Sequence, residues 1–239
     1  RETQQRMKEV ETFMKTGILP EPTPLGPQEA FILMLSGLPS WTKRALIVRD
    51  ASGESFSDMD FAVANMPYFL HVPTTLMFFS LEDMDTEGRS MTDMLTNYVH
   101  TLLKHGIDPR NSQRNLVVVI SKADKIRGLP PHLRDYLVND RLWDDVNTAD
   151  AVPPQLDQTR MQGYMRALGN VSNAINDWLL TRDADAAAFA AMANTYNIQL
   201  RYTLVSSLGA EKTSDIAVSS LSPRRVLDPF LWAMEFDKN

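Results

Sequence analysis

The sequence predicts an α/β fold, a three-layer arrangement in which a mostly parallel sheet is covered by helices on both faces. Three observations carry this. Short apolar runs alternate with amphipathic stretches along the 239 residues, the rhythm of strand–helix–strand units. The runs after Arg44 are continuous rather than alternating, as in LVVVI at 116–120, which is how strands buried on both faces read. Helix-capping residues and prolines stand where the two patterns change over. The length suits one large domain or two small ones. No internal repeat and no clear linker divide the chain, so residues 1–239 are read as one domain.

The first two strands are AFILMLSG (Ala30–Gly37) and RALIVRDASG (Arg44–Gly53), joined by a turn of moderate length that predicts an antiparallel hairpin. TTLMFFSL (Thr74–Leu81) is a third strand, NLVVVIS (Asn115–Ser121) a fourth and IQLRYTLVSS (Ile198–Ser207) a fifth. A helix is predicted over Ser90–His105, with Met91, Met94, Leu95, Tyr98, Leu102 and Leu103 at helical spacing and Gly106 just beyond as its stop. Asp157–Leu180 reads as a long helix broken near Gly169. Asp183 caps a further helix running to Tyr196, which Asn197 ends. In LDPFLWAMEF, Asp228 is placed at the N-cap and Pro229 at the first helical position.

A net charge of −6 gives no electrostatic support for nucleic-acid binding. The chain has no cysteine, so disulfides and thiolate metal sites are excluded. That fits a reducing compartment, and a cytoplasmic location is the expectation. No apolar run approaches the roughly 18 residues of a membrane span. The four tryptophans and the methionines at helical spacing are read as packing, and His71, His100, His105 and His132 have no metal-ligand spacing.

Ligands of an open α/β sheet bind at the carboxyl ends of its strands. After Val48 comes RDASGE, with Asp50 and, three residues on, Gly53. After Ile120 comes SKAD, and after Val205 comes SSLG. Upstream, a proline-rich loop ends LPEPT at Thr23. Singly each is ordinary: a turn, a solvated loop, a helix cap. In order they form a loop threonine, a hairpin, D-x-x-G, [N/S/T]-K-x-D after a strand and S-[A/S]-[L/K] after the next.

That series resembles the switch and base-recognition portion of a TRAFAC-class P-loop GTPase, most like the bacterial double-GTPase group. The matching text is GILPEPT, LIVRDASGESF, VVVISKADKI, LVSSLGAE and RVLDPFLWAMEF. The resemblance implies GTP or GDP as ligand with Mg²⁺, and slow GTP hydrolysis by a molecular switch. Asp124 would accept from the N1–H and N2–H of guanine, a donor pair that adenine lacks. Lys122 would lie along the base, and Ser121 replaces the usual asparagine, whose amide ties loops together. Ser206, Ser207 and Leu208 would surround the guanine O6. Asp50 would hold Mg²⁺, with Thr23 (or its rival Thr16) as the loop hydroxyl. Gly53 would bring its N–H to the terminal phosphate. Glu54 stands where a water-orienting residue is expected; it could act on the water, repel the phosphate or face solvent.

No G-x-x-x-x-G-K-[ST] occurs in the chain. The resemblance therefore places the phosphate loop, and the central strand leading into it, upstream of Arg1, and these 239 residues alone are expected to be inactive. A pseudo-GTPase, an interaction module keeping the fold without nucleotide turnover, is the alternative. A chance match on an unrelated Rossmann-like domain is a third reading. A protein partner is expected, of unknown identity.

Overall fold

A computed structural model describes residues 70–82, 90–140, 158–207 and 222–234, with Val63, Met84 and scattered positions between 8 and 18; residues 31–38, 41–48, 212–214 and 217–218 are described by their backbone alone. Strands β1 (Phe31–Leu38) and β2 (Trp41–Val48) form an antiparallel hairpin in which Phe31 faces Val48 and Leu38 faces Trp41. The connection is therefore tighter than expected, and β2 takes in Trp41, Thr42 and Lys43 before Arg44. An aromatic and a β-branched residue suit a strand well enough to shorten the turn.

A separate three-stranded parallel sheet has the order β3 (Thr74–Ser80), β4 (Arg114–Ser121), β5 (Ile198–Leu204). The central strand β4 is buried along nearly its whole length, the cost of which is met by pairing on both sides and apolar contact on both faces. One face of the sheet sets Leu116, Val118 and Ile120 of β4, with Met77 and Phe79 of β3, against Leu95, Tyr98 and Leu102 of helix α1 (Met91–Lys104). The same cluster takes Leu133 and Leu137 of α2 (Pro131–Val138), Ile175 and Leu179 of α3 (Gln158–Arg182) and Phe189 of α4 (Ala184–Thr195). The other face sets Val117 and Val119 against Met161, Met165 and Leu168 of α3 and Leu231 and Trp232 of α5 (Asp228–Ala233). Helices thus cover both faces of β4, as the continuous apolar runs predict. A short hairpin, β6 (Lys212–Ser214) with β7 (Ala217–Val218), lies between β5 and α5 in the chain. No helix among the described residues is long and apolar enough to cross a membrane.

Helix ends follow the sequence closely. Ser90 caps α1 by accepting from the Asp93 N–H at 3.1 Å, and Gly106, at φ 76°, turns the chain away beyond it. A second cap comes from α4: Asp185 accepts from Ser90 Oγ at 2.7 Å and from the Met91 N–H at 2.6 Å. Asp183 caps α4 through the Asp185 N–H at 2.9 Å, and Asn197, at φ 56°, ends it. Two expectations fail. α3 runs unbroken through Gly169, since its buried Leu168 and Ser172 anchor both sides of the glycine and outweigh a propensity penalty of about 1 kcal/mol. Asp228 is the first residue of α5 rather than its cap; Leu227 holds the cap position, and the Asp228 carboxylate is buried in other work described below.

Candidate functional site

The parallel register brings the C-terminal ends of all three strands together, with Ser80 opposite Ser121 and Ile120 opposite Leu204. β4 delivers Ser121, Lys122, Ala123 and Asp124 to that edge, and β5 delivers Val205, Ser206 and Ser207.

Ser121 Oγ donates to the Phe79 carbonyl at 3.1 Å, fastening the end of β4 to β3. Lys122 then turns left-handed, at φ 52° and ψ 35°, a conformation that costs a residue with a Cβ about 1 kcal/mol. A single 3-10 turn, Ala123–Lys125, follows, closed by the Lys125 N–H on the Lys122 carbonyl at 3.0 Å. The Ala123 N–H donates to the Val205 carbonyl at 3.1 Å, and the Val205 N–H donates to the Ile120 carbonyl at 2.8 Å. These two bonds stitch the turn after β4 to the end of β5. Ala123 is buried, and its neighbours Lys122 and Asp124 are exposed. A pinned backbone therefore holds two exposed charged residues, Lys122 and Asp124, two positions apart.

Ser206 forms a main-chain bridge with Arg224, donating to its carbonyl at 3.1 Å and accepting from its N–H at 2.7 Å. Ser206 is 1% exposed, and its Oγ has no hydrogen-bond partner among the described residues. Leaving a buried hydroxyl unmatched costs roughly 1–3 kcal/mol, so this group calls for a partner beyond the described residues. Ser207 beside it is exposed. Of the residues singled out from the sequence, Ser121, Lys122, Asp124, Ser206 and Ser207 come together on adjacent strand ends. Thr23, Asp50, Gly53, Glu54 and Leu208 lie outside the described residues. Among the described residues no group of three or more His, Asp or Glu could hold a metal ion.

Behind this edge lies a buried polar network that the sequence did not single out. Asp228 of α5 accepts from the hydroxyls of Tyr136 on α2 and Tyr164 on α3. Arg225, at φ 60°, donates from its backbone N–H to Asp140. Its guanidinium donates from Nε to the Tyr136 carbonyl at 2.7 Å and from one terminal nitrogen to the Asn139 carbonyl at 2.6 Å. The other terminal nitrogen reaches Tyr164 Oη at 3.2 Å and lies 3.9 Å from Asp140 and from Asp228. The guanidinium carbon also sits 3.9 Å from the centroid of the Tyr136 ring. Burial pushes the Asp228 carboxyl up to about 6, against the tyrosine hydroxyls and Arg225, which pull it down. Burial and the neighbouring Asp228 charge push Tyr136 and Tyr164 well above their ordinary range, so both stay protonated donors. Nothing local marks these residues in the sequence: the network draws on positions 136, 140, 164, 225 and 228, and the one cue, an aspartate before a proline, reads equally well as a cap.

No protein-family profile matches the chain. No solved structure matches it. A Mycolicibacterium smegmatis protein described as a candidate ESX-1 scaffolding and assembly protein, SaeC, is 23% identical over 244 positions, covering 94% of this chain and 60% of that protein. The chain therefore spans less than two thirds of the length of that relative.

Proposed function

We propose that residues 1–239 carry the base-recognition portion of a guanine-nucleotide-binding, GTPase-type switch. The observation that carries the reading is the stitched turn: Ala123 pinned to Val205, with Lys122 and Asp124 exposed beside it and Ser206, whose hydroxyl has no partner among the described residues, on the neighbouring strand end. Asp124 is assigned the guanine N1–H and N2–H, Lys122 the face of the base, Ser121 the tie to β3, and Ser206, Ser207 and Leu208 the guanine O6. The SKAD strand is the middle strand of its sheet, flanked by β3 and β5, which places its end beside that of the SSLG strand. In the same reading Asp50 and Thr23 hold Mg²⁺, Gly53 meets the terminal phosphate and Glu54 stands near the attacking water. The ion, when bound, supplies positive charge against the phosphates.

Calorimetric titration of the natural full-length protein with GDP and with ADP tests this. The reading expects GDP to bind at least tenfold more tightly. Equal affinity for the two, or no binding of either, contradicts it.

A second reading is favoured by the description of the M. smegmatis relative: a protein-interaction module with a GTPase-like fold and no nucleotide turnover. It expects neither guanine dependence nor Mg²⁺ dependence of stability, and a stable complex with a protein partner that survives Asp124→Asn.

A further inference from the structure

We propose that Arg225 is a positioning residue: its buried network clamps residues 222–228 so that the Arg224 main chain holds Ser206, and with it the end of β5, in place at the candidate base site. The inference rests on the nucleotide reading for its functional half only; the mechanical half stands on the geometry alone. Arg224 and Arg225 are consecutive, so the residue that bridges to Ser206 and the residue that carries the guanidinium clamp share one peptide bond. Ser206 makes two main-chain bonds with Arg224, and Val205 beside it carries both stitches to β4. The chain reaches the Ser206 bridge on one side and the clamp on the other, and the strained φ of 60° at Arg225 persists because its surroundings over-determine it.

The guanidinium makes three hydrogen bonds, one from each nitrogen, and has two carboxylates at 3.9 Å. Its partners are the Tyr136 and Asn139 carbonyls at the end of α2, Tyr164 on α3, and the carboxylates of Asp140 and Asp228. A fork of fixed geometry is what allows one side chain to reach two carbonyls and a hydroxyl at once. Lysine keeps the charge and loses the fork. The clamp therefore fixes the place of the strand end by shape, not by charge alone. Arg225 is 6% exposed and contacts no residue of the SKAD turn among the bonds described, so it acts through Arg224 and Ser206.

The test compares the natural full-length protein with Arg225→Lys and with Tyr164→Phe, which removes only one hydroxyl from the network. Amide hydrogen exchange is followed at Ser206 and Arg224, with Val118 in the centre of β4 as the remote reporter. Calorimetry with GDP runs in parallel. The expected result is exchange at least tenfold faster at Ser206 and Arg224 in Arg225→Lys, a smaller increase in Tyr164→Phe, unchanged exchange at Val118, and GDP affinity weakened by about tenfold. If Arg225→Lys speeds exchange at all three amides alike, the variant has lost the fold and Tyr164→Phe decides. Unchanged exchange at Ser206 in a folded variant overturns the clamp. Faster exchange at Ser206 with GDP affinity unchanged overturns the positioning role at the site. A parent that binds no GDP but shows the local exchange response keeps the clamp and removes the nucleotide reading.

Discussion

Lys122 sits at φ 52° between a buried strand and a 3-10 turn, where glycine is the residue of least cost. Lys122→Gly relieves that strain and also loosens the unfolded chain, so the protein should change in stability by no more than about 1 kcal/mol either way. If the side chain lies along a base, the same variant should lose GDP affinity by tenfold or more. Chemical denaturation beside GDP titration separates the two, and unchanged affinity would remove Lys122 from the site. Asp228 gives a pH signature of defined sign. Its carboxyl stands at about 6, above the ordinary 3.8, so the stability it contributes is complete below 3.8 and is lost as pH rises through 6. The ceiling of that contribution is about 3 kcal/mol. Asp228→Asn, which stays neutral, should flatten the stability profile between pH 4 and 7. Urea unfolding at pH 5 and 7.5 checks this, and identical profiles in parent and variant would contradict the assignment.

Among the elements, β5 is the sheet's edge on its side of the described structure, and α3 covers that edge. The Tyr202 N–H, pointing away from β4, donates to Ser172 Oγ at 2.8 Å, and Ser172 is 3% exposed. Ser172→Ala should therefore cost roughly 1–3 kcal/mol, because a buried N–H loses its acceptor without gaining water. A fall in urea midpoint at constant slope reads this out; no change would show that water reaches the edge. The elements most legible in the sequence are those whose signals are local. Gly106, Asp183 and Asn197 stop and cap helices where expected, Ser90 is the cap of α1 and not its first residue, and the five apolar runs all become strands. α2 was not foreseen: PHLRDYLV is eight residues with two buried leucines, too short for a clear helical period. The unbroken α3 shows the reverse case, where packing on both sides of Gly169 overrides a local breaker. The Arg225 network could not be read at all, because burial of its five side chains depends on α2, α3 and α5 meeting in space.

At the scale of the whole molecule, the candidate site falls into two parts. The base-recognition residues Ser121, Lys122, Asp124, Ser206 and Ser207 share one sheet edge. Those proposed for Mg²⁺ and phosphate lie outside the described residues. The sequence showed the order of the motifs but not how the turn after β4 is held; that needed the Ala123–Val205 bond. The central claim is that Asp124 reads guanine, and a specificity exchange tests it most directly. Asparagine at 124 can donate to the C2 oxygen of xanthine, where aspartate accepts from the C2 amine of guanine. Thermal unfolding of the natural full-length protein is measured with Mg²⁺ and saturating GDP, XDP or ADP, for the parent and for Asp124→Asn. The account predicts that GDP alone stabilises the parent and that XDP takes its place in Asp124→Asn, with ADP inert in both. Stabilisation of the parent by ADP as much as by GDP, or by none of the three, would contradict it.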